Sequence, residues 1–420
     1  MAGKTAVLCI GWHVKTVAAF ERLGCRVVSA VTAKDLGRAS AHSAAADLVL
    51  VTDANNLEAV LAGLTRAGVD PAGFDAVCSI HELSLVTAAA LARLTGRQVL
   101  PVETAIALRD KFVQKRLIRA AGLPVADCRV VGRLGDLAEG AWTGPLVVKP
   151  LADAGSRDTF ALRTPQELAA LLAADRPGAG SGPWLVEGFV EGAELHLDGV
   201  VRGGELLFLS VSRYLDNVIS VRSGGVIGSV ALDPADRPEL YGRARELVVR
   251  ALDALGHRDG VFHLEAFDGR AGLVFSECAG RIGGGMIPDV NAHAFGVDLV
   301  EEFARAVLQL PSGLPAGTPT APATRRPACG FVQLAAPAGR IDRMPTEQQV
   351  LDRPGCTAVR LALTEGAEVP DFTAGSHLMA GKALLTADDD TALEQRMHEL
   401  ADWFRDAVIT SPAVTSPLGG

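Results

Sequence analysis

Two glutamates, Glu265 and Glu277, stand in segments that predict two β-strands joined by a turn rich in Asp and Gly. Side chains alternate along a strand, so Glu265 would share a face with Phe267, and Glu277 with Phe275. A hairpin that folds symmetrically about Ala271 would place the two glutamates directly opposite each other. Like charges in that position are destabilising, and a divalent cation between them removes the conflict, since oxygen ligands suit Mg²⁺. The pair therefore predicts a metal site, although a surface hairpin with solvated acids has the same pattern.

Basic residues and glycines in three other places could bind phosphate near such a metal. Arg281 follows the second glutamate and precedes three glycines, 283–285, whose backbone can approach a ligand closely. Lys111 stands at the predicted start of a helix, where a lone lysine is unfavourable unless a phosphate binds there; a solvated surface lysine is the alternative. Lys149 ends a predicted strand, and the backbone N–H groups of the small-residue loop 152–156 behind it can hold phosphates. The loop is not a Walker A motif, because no Gly-Lys-Ser/Thr opens a helix.

The segment from Glu187 to Glu194 has an acid at each end and the apolar pair Phe189-Val190 between them. In a nucleotide site, the backbone around this pair can hydrogen-bond adenine, and Glu194 can accept hydrogen bonds from ribose hydroxyls. Ordinary acids on an exposed strand face are the alternative. Elsewhere, His81 and Glu82 directly follow a predicted strand, where α/β sheets place ligands, but we interpret them as a polar loop cap.

The elements that would position these residues fall into three parts. Residues 1–104 alternate short apolar strands with helical patterns, which predicts a parallel sheet covered by helices. The first turn holds a lone glycine, Gly11, so the dinucleotide fingerprint Gly-x-Gly-x-x-Gly is missing. After residues 105–310, a proline-rich connector at 311–327 leads to a small α+β module at 328–410. Residues 411–420 predict a disordered tail.

Composition excludes several classes of function. The 420-residue chain has a formal net charge of −9 and lacks the Lys/Arg runs that mark nucleic-acid or anionic-membrane surfaces. Its seven scattered cysteines include no Cys-x-x-Cys, which favours reduced thiols over a disulfide framework or a zinc site. No apolar run is long enough for a signal peptide or a membrane helix. We predict a soluble, cytoplasmic protein that binds neither nucleic acid nor membrane; a homodimer is left open.

Five motifs, taken in order, resemble the ATP-grasp superfamily and most closely its carboxylate–amine (L-amino-acid) ligase branch. They are Asp-Lys at 110–111, Lys-Pro at 149–150 with its small-residue loop, Glu187–Glu194, Phe-His-x-Glu at 262–265, and Ser-Glu-x-x-x-Arg-x-Gly-Gly at 276–284. The resemblance covers about residues 1–310. It implies an ATP-grasp fold of mixed α/β and α+β class, with an N-terminal Rossmann-like domain at 1–104. The ATP-grasp domain would span 105–310, with a lid at about 140–190, and the C-terminal module would help to wall the substrate site.

The resemblance also implies a role for each motif residue. The residues that would contact ATP are Lys111, Lys149, Gly155, Ser156, Glu187, Phe189, Val190, Glu194 and Phe267. Mg²⁺, with Mn²⁺ as a substitute, would bind Glu265 and Glu277. Arg281 would neutralise the substrate carboxylate and the acyl phosphate made from it, with Gly283 and Gly284 beside it. Ala279 stands where the family often has Asn, which implies a metal shell with fewer protein oxygens.

These roles imply an ATP-dependent ligase that joins a small carboxylic acid, such as an amino acid, to an amine through an acyl phosphate. Catalytic roles fall to Arg281 and Lys149. Two alternatives remain. One is another ATP-grasp ligase chemistry, biotin-carboxylase-like or purine-pathway-like, and the lack of a biotin-attachment motif counts against the first of these. The other is an ATP-binding protein without catalysis, against which the retention of both metal carboxylates and both lysines counts.

Overall fold

The N-terminal residues form a four-stranded parallel sheet, as predicted. This computed structural model describes residues 4–97, 100–137, 144–152, 155, 157–173, 182–315 and 327–412. The first strands are β1 (Ala6–Ile10), β2 (Arg26–Val31), β3 (Leu48–Leu50) and β4 (Ala76–Cys78), and the helices between and after them are α1 (Val14–Arg22), α2 (Ala33–Ser40), α3 (Leu57–Arg66) and α4 (Leu85–Leu94). The strand order is β3-β2-β1-β4. Alternate residues of β1 point into two different cores, Val7 with helix α1 and Leu8 with helices α3 and α4, so both faces of the sheet are covered.

Two helices connect this sheet to the rest of the chain, α5 (Val102–Ala107) and α6 (Lys111–Ala120). Asp110 caps α6, because its carboxylate accepts hydrogen bonds from the backbone N–H groups of Phe112 and Val113, both at 2.9 Å. The cap fixes Lys111 as the first helical residue. The helix therefore begins at Lys111, as predicted.

A second, antiparallel sheet follows, with its own small hydrophobic core. Its elements are β5 (Cys128–Val131), β6 (Leu146–Pro150), β7 (Phe160–Leu162), α7 (Pro165–Ala173) and β8 (Trp184–Gly188). The strand order is β5-β8-β6-β7. Because β5 belongs to this sheet, the sheet begins ahead of residue 140, where we placed the start of the lid. Thr164 and Glu167 form a capping box at α7, with Glu167 N donating to Thr164 Oγ1 at 3.2 Å.

The largest sheet has eight strands, and these come from both sides of the predicted proline-rich connector in the sequence. Its elements up to the connector are β9 (Ala193–Arg202), β10 (Glu205–Tyr214), β11 (Gly228–Ala231), α8 (Pro238–Leu255), β12 (Gly260–Gly269), β13 (Gly272–Ala279), α9 (Ile287–Phe295) and α10 (Leu299–Val307). Those beyond it are β14 (Ala328–Leu334), β15 (Arg340–Arg343), α11 (Glu347–Leu351), β16 (Cys356–Leu361), β17 (Gly381–Ala387), α12 (Asp390–Ala407) and β18 (Ile409–Ser411). The order is β13-β12-β9-β10-β11-β14-β17-β16. The C-terminal strands thus extend the same sheet that carries the glutamate hairpin.

The hairpin β12–β13 confirms one part of the sequence argument and corrects another. Glu265 lies directly opposite Glu277, as predicted, but the partner of Phe267 is Val274 and the turn is not symmetric about Ala271. A β-bulge between Glu265 and Ala266 shifts the register, so that Phe275 pairs with Ala266 and packs into the core. The expectation that Phe275 shares a face with Glu277 was therefore wrong.

Of the predicted disordered tail at 411–420, the structure describes only residues 411 and 412. Ser411 is the last residue of β18, which pairs with β15 next to the C-terminal module. Residues 413–420, like 316–326 of the predicted connector, lie outside the described residues. Across the described ranges, the helices are too short or too polar to cross a membrane.

Candidate active site

A cleft that opens to solvent, with about 840 Å³ of space including its open mouth, lies between the small antiparallel sheet and the eight-stranded sheet. The predicted nucleotide residues that line it from the lysine-bearing side are Lys111, Lys149, Gly155 and Glu187. Those on the other walls are Phe189, Val190, Glu194 and Phe267, together with the predicted metal ligands Glu265 and Glu277. Ser156 lies outside the described residues. Arg281, Gly283 and Gly284 are absent from this lining, and Arg281 instead lines a small adjoining pocket that it shares with Lys111 and Glu277.

The two opposed carboxylates are held by different partners. Glu265 Oε1 accepts a hydrogen bond from the Tyr214 hydroxyl at 3.2 Å and lies 3.5 Å from His263 Nε2. Glu277 Oε2 lies 3.2 Å from Lys111 Nζ. Burial alone would raise the pKa of Glu277, but the neighbouring lysines, led by Lys111, lower it to about 2. Glu277 is therefore ionised at neutral pH, as a ligand for a divalent cation must be.

The carboxylate of Glu187 forms ion pairs with two lysines and is not free to bind a nucleobase. Its carboxylate oxygens lie 2.7 Å from Lys149 Nζ and 2.7 Å from Lys115 Nζ. Lys115 also donates to the carbonyl of Ser276 at 2.8 Å, so it ties the small sheet to β13. Burial would raise the pKa of Glu187, but Lys149 and Lys115 lower it. Sequence reasoning missed Lys115, although its spacing from Lys111 puts both side chains on one face of α6.

Glu194 is held at the other end of the cleft. Its Oε2 accepts the backbone N–H of Val218 at 2.7 Å, and Asn217 Oδ1 accepts the backbone N–H of Glu194 at 3.0 Å. Burial, followed by repulsion from Glu265, raises the pKa of Glu194 to about 8. A carboxyl group that is largely protonated at neutral pH can both donate to and accept from hydroxyl groups. The guanidinium of Arg163 lies 4.4 Å from the centre of the Phe189 ring, which fixes the ring at the cleft edge.

Arg281 is paired with an acid from the N-terminal sheet. Its Nε and Nη2 both donate to Glu82 Oε2, at 3.0 and 2.6 Å, and Nη1 donates to the carbonyl of Ile282 at 2.9 Å. Arg109 Nη1 lies 4.0 Å from the other oxygen of Glu82. Glu82 is buried, with 8 % of its surface exposed, so our interpretation of it as a polar loop cap was wrong. The sequence position after a parallel strand was the signal that could have identified it.

A buried network of two histidines and an aspartate lies directly beneath Glu265. His196 Nδ1 and His263 Nδ1 donate to the two oxygens of Asp198, at 2.6 and 2.8 Å, and His196 Nε2 lies 2.9 Å from the Ser229 hydroxyl. Burial would lower the pKa of His263, but Asp198 raises it to about 10. The three ligand atoms are close enough to hold a metal, yet each already bonds within the network. We interpret it as a support that orients His263 toward Glu265.

The triple-glycine loop packs closely against this network at one position. A Cβ at Gly283 would lie 2.8 Å from His263 Nδ1 and 2.9 Å from Asp198 Oδ1, whereas a Cβ at Gly284 would meet nothing within 4 Å. We expect Gly283→Ala to lower the free energy of unfolding by about 1–3 kcal/mol, because overpacking forces the hydrogen-bonded pair apart. Gly284→Ala, the matched control, should leave it close to the wild-type value. Chemical denaturation of both variants measures the difference, and equal stabilities would contradict the contact.

Comparisons with known proteins agree with this architecture. No family model matches the chain. An L-arginine-specific L-amino acid ligase from Bacillus subtilis is 29% identical over 259 residues, which make up 60% of this chain and 61% of that protein. The chain thus spans about three fifths of the length of that curated relative.

Solved structures resemble the chain over nearly its whole length. An L-amino acid ligase from Bacillus licheniformis superposes with a TM-score of 0.75 at 19% identity, covering 98% of this chain and 100% of that one. A carboxyaminoimidazole ribonucleotide synthase from Aspergillus clavatus, solved in complex with ATP, gives a TM-score of 0.70 at 19% identity, with 96% and 99% covered. These likenesses show that the fold is shared.

Proposed function

We propose that this chain, which belongs to the ATP-grasp superfamily, is an ATP-dependent ligase that joins a carboxylic acid to an amine. The observation that carries the proposal is the opposed pair of carboxylates, Glu265 and Glu277, in a cleft that also holds Lys111 and Lys149. Two antiparallel sheets form the walls of that cleft. The name of the relative from Bacillus subtilis, an amino acid ligase, supports C–N bond formation and amino acids as the class of substrate.

The carboxylate pair fits a divalent cation. Two anionic oxygen donors oppose each other in adjacent strands, and Lys111 helps to keep one of them ionised. Hard oxygen ligands of this kind, completed by phosphate oxygens, suit Mg²⁺, and Mn²⁺ accepts the same donors. When bound, the ion would offset the negative charge of the transferred phosphoryl group.

The lysines would position the triphosphate of ATP. Lys149 is buried and ion-paired with Glu187, which is also held by Lys115, so its side chain is fixed before any ligand arrives. Such preorganisation favours the transition state, because no free energy is spent on ordering the charge during the reaction. Phe189, Val190 and Phe267 would enclose the adenine, and Glu194 would bind the ribose hydroxyls.

Arg281 would bind the acid that is to be activated. It lines a pocket with Lys111 and Glu277, whereas the residues of the proposed adenine wall line the neighbouring cleft. A guanidinium there offsets the charge that accumulates when the carboxylate attacks the γ-phosphate and forms an acyl phosphate with release of ADP. The amine then attacks the acyl carbon, and inorganic phosphate leaves.

An ADP-release screen over pairs of carboxylic acids and amines tests this function. We expect ADP formation that requires ATP, Mg²⁺, one acid and one amine together, with a product whose mass equals the two substrates less one water. Bicarbonate and formate arms test for the carboxylase-like and purine-pathway-like chemistries. ADP release that needs bicarbonate, or nucleotide binding with no ADP release in any arm, would contradict the proposal.

A further inference from the structure

Three basic side chains, which we call the basic cluster (Lys15, Arg360 and Lys382), lie where three parts of the chain meet. Lys15 is in the first turn of α1, and Arg360 and Lys382 stand directly opposite each other on β16 and β17. Asp289 of α9 accepts from two of them, with 2.6 Å to Lys15 Nζ and 2.6 Å to Arg360 Nη2. Lys382 Nζ donates to the carbonyl of Gly285 at 2.7 Å.

The basic cluster carries more positive charge than the carboxylate in its midst can neutralise. Among the described residues, Asp289 is the acid that pairs with Lys15 and Arg360, and its negative charge also acts on Lys382. Arg360 and Lys382 face each other across neighbouring strands. Without a bound anion, two like charges in this position destabilise the sheet, as facing glutamates do without a cation. Burial, followed by the effect of His81 and of the three side chains of the basic cluster, lowers the pKa of the neighbouring His13 to about 4. A dianion would balance the excess.

The position of the basic cluster in the fold is one where α/β proteins bind ligands. The order β3-β2-β1-β4 reverses direction at β1, and the crevice at the carboxyl ends of β1 and β4 is a topological switch point. Helix α1 starts there without a side-chain cap and without an acid in its first turn. Lys15 in that turn is unfavourable with the helix dipole, and a bound anion would reverse the effect. Solvent reaches the cluster, since 35 % of the Lys15 side chain and 43 % of Arg360 are exposed.

One loop connects the basic cluster to the carboxylates of the active site. Lys382 holds Gly285 at one end of the triple-glycine loop, and Gly283 at the other end packs against His263. His263 Nε2 lies 3.5 Å from Glu265. On the opposite side, the N-terminal sheet supplies Glu82, which holds Arg281. A small molecule bound at the cluster therefore lies along the loop that leads to the reaction centre.

We propose that the basic cluster binds the dianionic end of the amine substrate, either two carboxylates or one phosphate monoester. The amino group of that substrate then extends along the triple-glycine loop toward the acyl phosphate beside Arg281. This inference rests on the proposed function, which by itself leaves the amine undefined. Asp289 positions Lys15 and Arg360, and the excess charge of the cluster selects the amine.

A comparison of amines with one fixed acid tests the inference. L-Aspartate and L-glutamate carry two carboxylates, and O-phospho-L-serine and phosphoethanolamine carry a phosphate monoester. L-Alanine carries one carboxylate, and L-alaninamide carries none. We expect kcat/KM to be at least about tenfold higher for either the dicarboxylate amines or the phosphate monoester amines than for L-alanine. The group with the higher kcat/KM identifies the chemical source of the dianion. Equal use of L-alaninamide and the dianionic amines would overturn the inference while leaving the ligase function intact.

Variants of the basic cluster provide a second test. Lys382→Met should lower the ratio of kcat/KM between dianionic amine and L-alanine by about 10–100-fold, the size expected for a lost charge-assisted hydrogen bond, mainly through KM. Lys34→Met, at an exposed lysine on α2, is the matched control and should keep the wild-type ratio. Asp289→Asn keeps an oxygen that can accept hydrogen bonds from Lys15 and Arg360 but removes the negative charge from the cluster, so it should increase the ratio. If the cluster were only a link between domains, Lys382→Met and Asp289→Asn would lower the activity with every amine by the same factor.

A direct binding measurement separates failure of the inference from failure of the function. If no acid–amine pair releases ADP, titration calorimetry with O-phospho-L-serine and L-glutamate, in the presence of a non-hydrolysable ATP analogue, still reports on the basic cluster. Binding by the wild type that Lys382→Met weakens about tenfold or more supports the anion site. Binding that is equal in both proteins, or absent in both, overturns it.

Discussion

Glu277→Gln should lower the rate of ADP formation by about 10²–10³-fold, because it removes a full negative charge from the pair that faces the proposed cation. Glutamine keeps the size of the side chain and can still accept a hydrogen bond from Lys111, whose Nζ lies 3.2 Å from Glu277. The loss should therefore appear in catalysis and not in folding. Measurement of ADP release over a range of Mg²⁺ concentrations, with a thermal melt of the same sample, distinguishes the two.

A matched control for this variant is Glu205→Gln, at an exposed glutamate at the start of β10 in the same eight-stranded sheet. We expect its ADP release and its Mg²⁺ dependence to equal those of the wild type. If Glu277→Gln kept wild-type turnover at ordinary Mg²⁺ concentrations, the facing carboxylates would not be metal ligands. A raised requirement for Mg²⁺ with partial recovery at high concentration would support the assignment, since a weakened site fills at higher metal.

The glutamate pair could be predicted from the sequence because it depends on local information. Two short strands and one turn set its register, and the residues concerned are close in the chain. The structure keeps Glu265 opposite Glu277 although a bulge next to Glu265 displaces the residues nearer the turn. The bulge has no sequence signal, since no glycine marks it, and its consequence for Phe275 was missed. The predicted ATP-grasp fold is confirmed by solved structures that cover nearly the whole chain.

The pairings that were missed join residues far apart in the chain. Glu82 and Arg281 are 199 positions apart, and only the docking of the N-terminal sheet onto the hairpin brings them together. Glu187 meets Lys115 and Lys149 because the small sheet closes over α6. A single sequence shows which residues are acidic or basic. It does not show which of them pair, because many acids and bases are present and their separation in the chain does not select among them. The basic cluster is of this kind too, with Lys15 and Lys382 drawn from the two ends of the chain.

The pairing of Arg281 with Glu82 determines how the role of Arg281 can be tested. Arg281→Met alone would leave Glu82 buried at 8 % exposure with Arg109 Nη1 at 4.0 Å, and breaking a buried ion pair costs about 3–5 kcal/mol. A loss of activity in that variant would mix folding with catalysis. The double variant Glu82→Gln/Arg281→Met removes both charges together and avoids the uncompensated acid. Glu82→Gln, which keeps the guanidinium, is its matched control.

We expect the double variant to bind ATP with nearly wild-type affinity, because Lys111, Lys149 and both metal carboxylates remain. Its acid-dependent ADP release should fall by about 10²–10³-fold, the loss seen when one preorganised charge-stabilising donor is removed. Glu82→Gln should retain most of the activity, since Arg281 Nη1 is still anchored on the carbonyl of Ile282. Nucleotide affinity and ADP release are measured on the same samples. If both fell together, Arg281 would be a nucleotide ligand; if neither fell, the acid would bind elsewhere in the cleft. A fall in ADP release alone assigns Arg281 to the step in which the carboxylate attacks, because that is where negative charge converges on the oxygens it can reach.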